Sequence, residues 1–203
     1  MDNFLQWWRD LLAYLGDVWD TDWLPVSRAE AVAAGIFFLW FLWYAIGKQG
    51  GDFFLDPLNI VVHEGGHALF SHFGDLLTVA GGTILQLAVP FLLALAFYVR
   101  RQPTGYALFL LVFFENFLYV AKYMADARAQ ALSYIAIGVG AMEGLEDPKM
   151  HDWWNLFQRW GVLPYDTRIA AWVFRAGWIG MIAVVSWFLW RAARSWHEAP
   201  VEA

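Results

Sequence analysis

The sequence predicts an all-α fold, a polytopic membrane helix bundle with roughly four to six membrane-embedded helices and an interfacial N-terminal helix. Three observations predict it. Of 203 residues, 60% are hydrophobic and 16% charged, where an ordinary soluble domain is about 25% charged. The mean hydropathy is +0.44, and a chain of 23.3 kDa has too much surface for its volume to hide that much apolar area in water. The apolar residues also gather into charge-poor runs close to the roughly 20 residues that span a bilayer core. The same composition excludes a soluble globular domain, a disordered tail and a nucleic-acid binder, the last also through the net charge of -6. The 14 Trp suit a chain that meets the membrane–water boundary many times.

Residues 1–29 read as an interfacial segment. They lack the basic start and clean apolar core of a cleavable signal, and Trp7, Trp8, Leu11, Leu12 and Leu15 share one helical stripe. Residues 30–192 read as a single membrane-embedded domain, and residues 193–203, with His197, as a polar tail. Within the domain, runs 31–47, 76–99, 104–125 and 168–190 are long enough to cross. Stretches 57–74 and 129–142 are short, suited to re-entrant or half-buried segments. The basic clusters Arg100–Arg101 and Arg191/Arg194 belong in the cytoplasm by the positive-inside rule. Residues 126–165 then begin and end on the other side, so 129–142 does not cross. Asp56-Pro57 and Asp147-Pro148 each signal a helix start.

The chemistry-bearing motif is His63-Glu64-Gly65-Gly66-His67. On a helix, residues four apart face one side, so both imidazoles can hold one metal ion while Glu64 acts as general base on its water. There is no Cys, which removes disulfides, thiolate nucleophiles and cysteine zinc sites. A third ligand must therefore be His, Asp or Glu. Two candidates emerge. Asp126 shares a polar stripe with Glu115, Tyr119 and Lys122, and such a stripe should face the bundle interior. Glu115 with Lys122 reads more simply as a buried ion pair across two turns. His151 is the other candidate, placed on the same side as Asp126 by charge alone, with Asp152 available to orient a ligand histidine from behind and Asn155 one turn on. Asn116 and Gln86 are expected to line the cavity or support the ligands. His72, rotated about 140° from His67 at about 100° per residue, reads as interfacial. Two straight parallel helices leave Asp126 too far in depth from the motif. One remedy is a loop or short strand over 74–83, around Gly81-Gly82, whose edge could pair with an extended peptide. The other reading of those glycines is close helix packing.

A membrane-embedded HExxH, a glycine-containing stretch after it and an acid on a later membrane helix resemble the site-2 protease family of intramembrane zinc metallopeptidases. The resemblance covers about residues 57–126. It implies Zn2+ bound by His63, His67 and a downstream Asp, for which Asp126 is the best match, with Glu64 activating water. The family presents that Asp before Gly, whereas here the surroundings are Met124-Ala125-Asp126-Ala127-Arg128. The chain also resembles small uncharacterised bacterial multi-pass proteins with HEGGH and a later HDW, which adds no activity. The leading expectation is a zinc hydrolase of the inner (plasma) membrane, its substrate a membrane-embedded peptide. A lipid amide or ester hydrolase with the same site is the alternative. A non-catalytic metal-binding protein is the third, and a closed site of His63, His67, Asp126 and His151 would favour it, since a catalytic zinc keeps a position open.

Overall fold

The structure, a computed structural model, describes residues 4–10, 13, 21–48, 53–132, 135–136, 140–141 and 151–198. Residues 4–10 are helical and exposed; Leu11, Leu12 and Leu15 of the expected stripe lie outside the described residues. The architecture is an all-α bundle. Its helices are α1 (Arg28–Gly47), α2 (Asp56–Phe70), α3 (Asp75–Val99), α4 (Pro103–Ala125), α5 (Asp152–Arg159) and α6 (Asp166–Glu198). Helices α1, α3 and α4 and the stretch Leu163–Trp196 are long and apolar enough to cross a membrane.

Local sequence accounts for most helix ends. Ser27 caps α1 by accepting the Glu30 N–H at 3.2 Å. Glu30 in turn accepts from the Thr104 hydroxyl at 2.6 Å, tying the starts of α1 and α4 together. Helix α2 carries its Pro in the first turn, and the Asp56 carboxylate reaches back to the Phe53 N–H at 2.9 Å. At 15 residues α2 is only about 22 Å long. A 3-10 turn, Ser71–Phe73, links it to α3. His72 there is exposed.

The stretch 74–83 is not a strand or a re-entrant loop. It enters α3 at Asp75, and Gly81-Gly82 sit inside that helix. A Cβ at Gly66 would collide with the Gly81 carbonyl, so these glycines let α2 and α3 touch backbone to backbone. Of 129–142, residues 129–132, 135–136 and 140–141 are described, and Ile135–Ala136 pairs antiparallel with Gly140–Ala141. Asp147 and Pro148 lie outside the described residues. Helix α6 runs on to Glu198, past residue 192, so the tail's first residues continue the last helix.

Two apolar clusters hold the bundle. Phe38 and Phe41 of α1, Leu111 of α4 and Met181 and Phe188 of α6 form one. Val120 and Met124 of α4 with Trp153, Leu156 and Phe157 of α5 form the other. The second seats α5 against the end of α4 and so decides where residues 151 and 152 stand. At the opposite end, the Leu24 N–H bonds the Arg101 carbonyl at 2.9 Å, and the Arg191 guanidinium bonds the Trp23 carbonyl at 3.0 Å. Both basic clusters thus share one end of the bundle.

Candidate metal centre

His63 and His67 project from the buried side of α2, as their four-residue spacing requires. The carboxylate that meets them belongs to Asp152. Its Oδ2 lies 2.8 Å from His63 Nε2 and 3.1 Å from His67 Nε2. One donor atom from each of these three residues falls within 4.8 Å of the others. Zinc bonds of about 2.0–2.2 Å place tetrahedral ligand atoms roughly 3.3 Å apart. A neutral-imidazole and carboxylate donor set of this size fits zinc.

The ring nitrogens facing away are held. His67 Nδ1 donates to the Thr78 carbonyl at 2.7 Å. His63 Nδ1 lies 3.2 Å from Gln86 Oε1, and its tautomer follows from a chain of amides. The Val112 carbonyl can only accept, so Asn116 turns its NH2 to it, at 3.0 Å. Asn116 Oδ1 then accepts from Gln86 Nε2 at 2.7 Å. That leaves Gln86 Oε1 to accept from His63 Nδ1–H, so Nε2, which faces Asp152, is the ring nitrogen available to a metal. Gln86 and Asn116 are almost fully buried, so this orientation is not averaged by solvent. A Cβ at Gly82 would lie 2.5 Å from His63 Nε2, so glycine there makes room for the ring.

Electrostatics match the geometry. Burial acts against the charged form of His67, but Asp152, the Thr78 carbonyl and Glu64 outweigh it and raise its pKa to about 9. Burial also pushes the Asp152 carboxyl up, and the hydrogen bonds from His63 and His67 more than reverse this, leaving it below its ordinary value. The metal-free site is therefore an ion pair between Asp152 and the His67 imidazolium. Glu64 sits half-buried one residue after His63.

Asp126 and His151, expected as ligands, are engaged with each other instead. Asp126 closes the end of α4, where its carboxylate accepts the N–H groups of Ala131 at 2.8 Å and Leu132 at 3.2 Å. His151 Nε2 lies 3.6 Å from Asp126 Oδ2. His151 is the N-cap of α5, its Nδ1 accepting the Trp154 N–H at 3.3 Å. Burial keeps its imidazole below the usual range, opposed by Asp126 and Asp152. A neutral ring that accepts at Nδ1 carries its proton on Nε2, toward Asp126. The correction has a simple cause. A helix N-cap and the residue after it point differently, so the cap secures the helix while Asp152, in the first turn, reaches the histidines. Asn155 lies one turn on, its N–H on the His151 carbonyl at 3.0 Å.

The expected Glu115–Lys122 pair does not form, whereas His63 and His67 pair with Asp152, His151 with Asp126, and Arg128 with Asp166. Two turns of helix, about 10 Å, separate the two. Tyr123 is a contributor that sequence reasoning missed. Its hydroxyl accepts the Asp152 N–H at 3.2 Å and its ring stacks on His151 at 4.3 Å. The available signal was its position one turn beyond Tyr119 on the same helix. No protein-family model matches this chain, and neither a curated protein nor a solved structure proves similar to it.

Proposed function

We propose that this protein is a membrane-embedded, zinc-dependent hydrolase that cleaves a peptide bond in or near a membrane segment. The convergence of His63, His67 and Asp152 carries the reading. Among the described residues that cluster holds three ligands, and three protein ligands leave the fourth tetrahedral position that catalysis needs. A closed, purely structural site would need a fourth. The membrane would be a bacterial inner (plasma) membrane, with the Arg100–Arg101 turn and the C-terminus in the cytoplasm.

His63 and His67 would hold the ion through Nε2, and Asp152 through its carboxylate. Zinc bound there would lower the pKa of a coordinated water and polarise the scissile carbonyl. Glu64 would accept the proton of the attacking water and hand it to the leaving amine. Gln86, Asn116 and the Thr78 carbonyl keep both imidazoles in the tautomer that can ligate.

Glu64→Gln should retain bound zinc and lose turnover by at least about a hundredfold, the usual weight of a general base. Elemental analysis and activity on the same purified sample test this; zinc loss in that variant, or full activity, would reject Glu64 as the base.

One observation favours a second reading, a lipid amide or ester as substrate. Gly81-Gly82 lie inside α3, which leaves no strand edge in 74–83 on which an extended peptide could pair. Mass spectrometry of membranes with and without the protein separates the two, by trimmed peptides or by altered lipids.

A further inference from the structure

Helices α2 and α4 turn polar side chains toward each other. On α2, Asp56, Asn59, His63 and His67 recur every three or four residues and so share one face, with Glu64 at its edge. On α4, Glu115, Tyr119 and Tyr123 recur every four. The two faces meet in successive rungs. The Asn59 amide is the hydrogen-bond partner of Glu115, and Asp56 stands close by. One turn on, Tyr119 is within electrostatic reach of Glu64 as well as of Asp56 and Glu115. The Tyr123 ring then meets the His63 imidazole edge to face, at 5.9 Å. The polar seam thus starts at Glu115, ten residues and about 15 Å in from the end of α4, and leads to the histidine cluster.

A cavity of about 350 Å³ lies along this seam, with Asp56, Glu115 and Tyr119 in its wall. Its lining also includes Lys48, just past the end of α1, and Thr167, at the start of α6. Both are exposed, at the end of the bundle away from Arg101, so the cavity runs from the surface to the depth of Glu115. Ionisable residues this deep in a membrane bundle are costly and border water-filled space. At about 30 Å³ per water the cavity has room for several, with polar partners along the seam. A lipid tail in the same space would set Asp56, Glu115 and Tyr119 against hydrocarbon. We propose that the cavity is the water entrance of the metal centre. Water enters beside Lys48 and Thr167 and follows the polar seam to Glu64, and Tyr119 is the positioning residue that orders the last molecule before the base. The inference rests on the hydrolase reading, in which every bond cleaved consumes one water.

The test uses the full chain in liposomes, where single cysteines report water directly because the native chain has none. Leu118 lines the cavity, and Ile84 lies on the exposed face of α3. The Gln86–Asn116 hydrogen bond sets the two positions at a similar depth. Leu118→Cys should react with a small charged thiosulfonate at least roughly tenfold faster than Ile84→Cys, because the reactive thiolate is costly in hydrocarbon. Equal rates at the two positions, fast or slow, would overturn the entrance. Where Leu118→Cys loses zinc, Ala171→Cys in the same cavity decides in its place. Labelling needs no turnover, so a native protein that labels as expected but hydrolyses nothing would reject the hydrolase reading and leave the hydrated cavity standing. In the turnover assay, Tyr119→Phe should lower kcat roughly tenfold with KM and zinc content unchanged. A native kcat in that variant, or a change in KM alone, would overturn the role of Tyr119.

Discussion

His67 carries a proton that a metal bound at the proposed site would displace. Its pKa is about 9 in the metal-free protein, above the ordinary 6.5 of histidine. The raised value means its pairing stabilises the fold fully below about 6.5 and is lost as pH rises through about 9. Asp152 has a lowered pKa, so its share is present above its ordinary value and is lost as pH falls through its folded value. The ion pair thus spans the neutral range, and under the proposed function zinc would replace its proton. Zinc binding at pH 7 should release about one proton, falling toward none above pH 9. Calorimetric titration in buffers of different ionisation enthalpy reads this directly; the absence of proton release at pH 7 would contradict the assigned pair. Ligand identity is tested at the same scale. Asp152→Ala should lower zinc affinity at least tenfold. Asp126→Asn and His151→Ala should keep one zinc at saturation and lose about 0.5–2 kcal/mol of stability, the weight of a helix cap. Zinc lost from the latter two and kept in the first would reverse the assignment.

Elements bring these residues together through two contacts. Helix α2 meets α3 through glycines, and α5 is seated on α4 by Trp153, Leu156 and Phe157. Gly82→Ala places a methyl 2.5 Å from His63 Nε2. Overpacking of this kind costs about 1–3 kcal/mol, and here the ring must give way. Zinc content and melting temperature should both fall, more than for alanine at Gly65, whose nearest neighbour is a Leu85 methyl at 3.8 Å. Equal effects at the two positions would argue against the close approach. Much of this element layer was legible beforehand. Asp56-Pro57 and the long apolar runs predict a helix start and the spans, because caps and hydropathy are local properties. Gly81-Gly82 were not decisive in sequence, since glycine serves both a loop and a tight helix contact.

The whole molecule has two ends of different character. Arg101 and Arg191 are joined through Trp23 and Leu24 at one. Asp126, His151 and the Arg128–Asp166 pair, 2.7 Å apart, gather at the other. The native chain has no Cys, so single cysteines report sidedness without background. A cysteine at Gln102 should react with an impermeant maleimide only from the cytoplasmic face, and one at Arg128 only from the opposite face. Labelling of both from one side would refute the orientation.

The sequence by itself determined the helical membrane class, the main spans and the pairing of His63 with His67, because hydropathy, capping and a four-residue repeat act within one helix. Only the tertiary structure decided that Asp152, 89 residues from His63, completes the cluster. It also paired Asp126 with His151. Those outcomes depend on how α5 packs against the end of α4, an interaction between distant apolar faces that no local pattern encodes.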